Sequence, residues 1–104
     1  MNFSEYQESA VALASYPRDK SDEYLFPSLS VEANEVLDLW AKGIRDGYSV
    51  DRDKLKGELG DVLWFVAALC WEYSLSMEEV AEGNIAKLQD RKKRGVLHGS
   101  GSNR

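Results

Sequence analysis

With 104 residues, 43 % of them apolar and 30 % charged, the chain can build one hydrophobic core without metal or disulfide staples and is too apolar to be disordered. A net charge of −5 argues against nucleic-acid binding. No stretch reaches the roughly 18 apolar residues of a membrane span, and the start, Met1 to Tyr6, lacks the basic and apolar segments of a signal peptide, so a cytoplasmic protein is expected.

In chain order, Phe3, Tyr6, Ala10 and Leu13 recur at helical spacing and predict a first helix over 3–15, capped by Asn2 or Ser4 and ended by Pro17. Both prolines and the charged run from Arg18 to Glu23 predict a loop from Pro17 to Pro27. A second helix is expected from Ser28 to Ile44 or Asp46, closed by Gly47, and a third from Asp51 or Asp53 to about Tyr73. Around Leu63 to Ala67 the third helix is apolar nearly all round, which places it at the centre or at a subunit interface. Ser76-Met77-Glu78-Glu79 reads as a capping box that opens a fourth helix through Arg94. No segment alternates as a strand does. The expected fold is therefore all-α, a single four-helix, bundle-like domain over 1–104 with a flexible, basic, glycine-rich tail at about 95–104.

Two carboxylate pairs at i, i+3 spacing, Glu32/Glu35 and Glu58/Asp61, stand out within this frame. At about 100° per residue, the first pair shares its arc with Val36, Leu39 and Gly43, and the second with Val62, Phe65 and Leu69. Acids placed within an apolar stripe are expensive unless paired or bound to metal. An all-oxygen set on two facing helices suits a hard cation, Mg²⁺ or Mn²⁺. A di-iron bundle would need Glu-x-x-His motifs, and the one histidine, His98, lies in the tail. An EF-hand fails because Leu55 stands at a ligand position. The competing explanation is two structural pairs satisfied by Lys or Arg. Gly60 falls well away from the acids and is expected at a close helix–helix contact, while Gly57 flanks the Asp61 side. Cys70, in an apolar run, reads as a buried, inert thiol.

On the fourth helix, the apolar stripe of Met77, Val80, Ala81 and Leu88 ends in Asn84, Lys87 and Arg91, groups suited to phosphate. Snorkelling cations of a helix end explain the same pattern. Trp40, Trp64, Phe65 and Tyr16 could stack on a base but read more naturally as core.

The ordered set Glu-x-x-Glu, 22 intervening residues, Glu-x-x-Asp, then Asn84-x-x-Lys87-x-x-x-Arg91, resembles the MazG-like family of nucleoside triphosphate pyrophosphohydrolases. The likeness extends to the Tyr16-Pro17 turn and to the Arg94–Arg104 tail, which is similar to that of small phage and bacterial members. It implies Mg²⁺-dependent cleavage between the α- and β-phosphates, with Glu32, Glu35, Glu58 and Asp61 as metal ligands. It further implies Glu32 or Glu35 as the proton acceptor, and Asn84, Lys87, Arg91, Arg94, Asn103 and Arg104 as substrate contacts. A homodimer or homotetramer is implied as well. Alternatives are a deoxyuridine triphosphatase, a phosphoribosyl-ATP pyrophosphohydrolase, or a catalytically silent helical module that binds a partner. Two departures are Val31, where many members carry a further Glu, and Ser102, where some carry an acid.

Overall fold

The computed structural model describes residues 1–99 and 101. Four helices follow one another: α1 (Phe3–Val11), α2 (Ser21–Asp46), α3 (Arg52–Glu72) and α4 (Met77–Arg94), with a single 3₁₀ turn at Arg18–Lys20. There is no strand among the described residues. The fold is an all-α four-helix bundle in which α3 is central: it packs against α1, α2 and α4, whereas α4 packs on α1 and α3 and not on α2.

Three of the four helix starts carry a side-chain cap; α2, behind Lys20, has none. Asn2 and Glu5 form a reciprocal capping box on α1, at 2.8 and 3.2 Å. Asp51 accepts the N–H groups of Asp53 and Lys54 at the head of α3, and Ser76 accepts that of Glu79 at the head of α4. Left-handed glycines, Gly47 and Gly95, end α2 and α4.

Two sequence expectations are corrected at the first connection. The first helix stops at Val11 instead of continuing to residue 15. The Trp64 indole N–H donates to the Ala10 carbonyl at 3.0 Å, the acceptor that a continuing helix would offer to Ala14. Ala14 bonds to the Val11 carbonyl instead, and the chain turns so that Tyr16 can enter the core. The segment Pro17 to Pro27 is not a loop either: α2 begins at Ser21 and carries Pro27 inside it. Proline there forfeits one backbone bond, but the first two turns are anchored from both sides. Leu25 is completely buried, Tyr24 stacks on Tyr16 at 5.5 Å, and the Tyr73 hydroxyl donates to Asp22 at 2.9 Å.

The core has two lobes joined by Trp64. Ala10, Ala67, Cys70 and Met77 close α1 and α4 onto α3; Tyr16, Leu25, Phe65 and Ala68 close the first connection and α2 onto its other side. Gln7 is buried between the ends of α3 and α4, its amide donating to the Leu75 carbonyl and its oxygen accepting the Met77 N–H, both at 3.0 Å. At the far end of the α2–α3 hairpin, a Cβ on Gly43 would lie 2.7 Å from the Tyr48 carbonyl oxygen, so only glycine lets the connection fold back this tightly. Gly60 is different. A Cβ there meets nothing within 4 Å, which overturns the expected close helix contact. Trp40, read as core, is 58 % exposed, because the far half of α2 has only α3 beside it.

Candidate metal centre

The hairpin of α2 and α3 lays the two acidic pairs side by side. Carboxylate oxygens of Glu32, Glu58 and Asp61 all lie within 4.8 Å of one another, with Glu32 and Glu58 half-buried and Asp61 exposed. Glu35, one turn beyond Glu32, is exposed and stands outside this group. The four acids read as one inward-facing set thus divide into a cluster of three and an outlying fourth.

Glu32 feels the crowding of its neighbours. Burial, then the negative charges of Asp61, Glu58 and Glu35, push the Glu32 carboxyl above its ordinary value. Burial and the charge of Asp61 likewise push up the hydroxyl of Tyr6. Arg18 pairs with Glu72, Lys42 with Asp38, Arg45 with Asp46 and Arg94 with Asp90, all away from the three clustered acids. Three converging carboxylate oxygens fit a hard divalent ion such as Mg²⁺ or Mn²⁺, which also keeps positions for water and phosphate.

The α4 residues are placed differently from the acids. Asn84 and Lys87 are exposed on a helix that makes no packing contact with α2. Arg91 is buried, at 5 % exposure, and its carbonyl accepts the Val96 N–H at 2.9 Å. Arg94 is held by Asp90 at 2.8 Å. Asn103 and Arg104 lie outside the described residues.

Sequence reasoning missed an aromatic floor on the same side of the hairpin as the acids. Tyr24, 43 % exposed, stacks on Tyr16 and tilts against Phe65, one turn beyond Asp61 on α3. Tyr16 itself donates to Glu72 at 2.6 Å, beneath an Arg18 guanidinium 5.0 Å from its ring, and burial with the Glu72 carboxylate pushes its hydroxyl up to about 12. The signal was available: at about 100° per residue, Tyr24 falls on the Glu35 face of a helix, but only if the helix starts before Pro27.

Residues 20–96 match the family model of the MazG nucleotide pyrophosphohydrolase domain. The chain is also similar to the gene 37 protein of Mycobacterium phage L5, 38 % identical over 114 aligned positions that cover the whole of both chains. No solved structure matches it.

Proposed function

The chain belongs to the MazG nucleotide pyrophosphohydrolase family, and from that premise we propose that it is a Mg²⁺-dependent hydrolase of nucleoside triphosphates. The reaction adds one water, breaks the bridge between the α- and β-phosphates and yields a nucleoside monophosphate and pyrophosphate. The observation that carries this reading is the convergence of the Glu32, Glu58 and Asp61 carboxylates from two neighbouring helices.

Those three carboxylates would hold the ion. A divalent cation bound there, Mg²⁺ or its substitute Mn²⁺, would offset the triphosphate charge and make the attacked phosphorus more electrophilic. The chain's own residues supply the rest. Glu35, exposed beside the cluster but not part of it, is the carboxylate left to take the proton of the attacking water. Tyr24 presents a partly exposed ring for a base to stack upon. Asn84, Lys87, Arg91 and Arg94, with Asn103 and Arg104, remain the candidate phosphate contacts. The protein acts on free nucleotides in the cytoplasm, without nucleic acid or membrane, and associates with itself. No helix among the described residues is long and apolar enough to cross a membrane.

The test is pyrophosphate release from a panel of ribo- and deoxyribonucleoside triphosphates, with and without Mg²⁺. Wild type should turn over at least one of them only with the metal. Removal of an outer-sphere partner costs roughly 10–100-fold at metal sites, so Glu58→Gln and Asp61→Asn should each lose more than about 100-fold. Activity confined to dUTP or to phosphoribosyl-ATP would select one of those narrower hydrolases. A protein inert across the panel would return the reading to a silent helical module.

A further inference from the structure

Tyr6 brings a hydroxyl from α1 towards the acidic cluster. Its helix meets α3 at Trp64, whose indole N–H donates to the Ala10 carbonyl at 3.0 Å. One turn back along α1 from Ala10 is Tyr6, and one turn back along α3 from Trp64 is Asp61. The two are near enough for the Asp61 charge to act on the phenol. Tyr16 donates to Glu72 and Tyr73 to Asp22, but among the described residues the Tyr6 hydroxyl has no hydrogen-bond partner.

The ring below that hydroxyl is firmly held. It packs on Ala10, Ala67, Cys70 and Met77 and, with Phe3 and Leu63, borders an open groove of about 340 Å³. The helix is tied down as well: Gln7 bonds to the Leu75 and Met77 backbone, and the Glu78 carboxylate accepts the Ser4 N–H at 3.0 Å. A donor on an element so anchored is in position before any ligand arrives. Burial, then the charge of Asp61, pushes the hydroxyl above its ordinary 10.0, so it stays a neutral donor at neutral pH. Neutrality suits the place. A Lys or Arg beside Asp61 would pair with it and weaken its hold on a cation, whereas a hydroxyl adds a donor for phosphate and leaves the carboxylates free.

Position also gives direction. Asp61 stands one turn before both Trp64 and Phe65. Tyr6 belongs to the core lobe that closes α1 onto α3, and Tyr24, through Tyr16 and Phe65, to the lobe that closes α2 onto it. A nucleotide with its base on Tyr24 therefore runs its phosphates past the acids towards α1. We propose that Tyr6 contacts the substrate there, its hydroxyl donating to an oxygen of the β- or γ-phosphate, the pair released as pyrophosphate. The first helix thus contributes to a site whose acids all come from α2 and α3. The contact rests on the metal-bound nucleotide reading above; the place of the hydroxyl does not.

Calorimetry reads the contact without turnover, using Mg²⁺ alone, inorganic pyrophosphate with Mg²⁺, and each common deoxynucleoside monophosphate with Mg²⁺. Tyr6→Phe removes only the oxygen, so helicity by circular dichroism should be retained and the Kd for Mg²⁺ alone should stay within about twofold of wild type. Loss of a hydrogen bond to a charged acceptor should weaken pyrophosphate by about 10-fold or more, while the monophosphate that wild type binds best stays within about threefold. Unchanged pyrophosphate affinity in Tyr6→Phe overturns the contact. So does an equal loss for Mg²⁺ alone, which would place Tyr6 behind the metal ligands. An equal loss for the monophosphate overturns the direction of the nucleotide. Wild type that binds Mg²⁺ but not pyrophosphate overturns the contact and leaves the metal centre standing. Wild type that binds no Mg²⁺ overturns the centre itself, and the contact with it.

Discussion

Replacing Glu32 with Gln should have opposite consequences with and without metal. The Glu32 carboxylate lies within 4.8 Å of those of Glu58 and Asp61. Two unit charges at that separation repel by about 0.9 kcal/mol in water and about 3.5 kcal/mol at an effective dielectric constant of 20. Asp61 is exposed and Glu58 only half-buried, so the lower figure governs each pair. Glu32→Gln should then stabilise the metal-free protein by about 1–2 kcal/mol at low ionic strength, raising Tm by about 5–10 °C. The gain should shrink in 0.5 M salt.

The pH dependence has a definite sign. Burial, then repulsion from Asp61, Glu58 and Glu35, holds the Glu32 carboxyl above its ordinary 4.5 in the folded protein. The folded state therefore keeps the proton longer than the unfolded one. The stability this provides is complete below pH 4.5 and is lost as pH rises through the higher folded value. Glu32→Gln should flatten that slope. Millimolar Mg²⁺ should stabilise wild type by RT ln(1 + [Mg²⁺]/Kd) and leave the variant largely unmoved. Thermal denaturation at one protein concentration, over pH, salt and Mg²⁺, measures all of these together. A metal-free Glu32→Gln protein less stable than wild type would show that the carboxylate is already satisfied within the fold, and would refute the metal-site argument.

Tyr16→Phe removes a hydroxyl bonded to a carboxylate but leaves Glu72 its Arg18 partner at 3.2 Å; a loss of about 1–2 kcal/mol is expected by urea denaturation. In wild type, ultraviolet titration should show this hydroxyl ionising only near pH 12, absent from the Phe variant. The two helical glycines should respond in opposite directions. Gly43→Ala drives a Cβ to 2.7 Å from the Tyr48 carbonyl oxygen and should cost about 1–3 kcal/mol, whereas Gly60→Ala meets nothing within 4 Å and should gain up to about 1 kcal/mol of helix propensity. Cys70 is 6 % exposed and its thiol is held above the ordinary range by burial, so an aromatic disulfide reagent at pH 8 should titrate it only after denaturation.

Helix identity was legible wherever a local rule carried it. Ser76 and Asp51 announce their helices through side-chain oxygens, and Gly47 and Gly95 end theirs with backbone that L-residues avoid. The placement of Glu32, Glu58 and Asp61 followed from periodicity alone, since both helices keep a regular turn through the acids. What could not be read was set by partners distant in sequence. Trp64, 54 residues away, shares the Ala10 carbonyl with the Leu13 N–H at the turn where the first helix ends. Pro27 signals a break, but the burial of Leu25 and the stack of Tyr24 on Tyr16 outweigh one missing backbone bond. Trp40 misled for another reason: an aromatic on an amphipathic helix looks the same in sequence whether or not its own chain covers it.

The buried amide of Gln7 bears on where this domain begins. The family match starts at residue 20, after α1 has ended. Yet Gln7 satisfies the Leu75 carbonyl and the Met77 N–H across about 70 residues of chain, and Ala10 covers Ala67, Cys70 and Met77. A chain trimmed to its recognisable part would start α4 with a buried donor unsatisfied and leave half the core open to solvent. The family model begins with the helix that carries Glu32; what the chain needs in order to fold begins earlier, in α1.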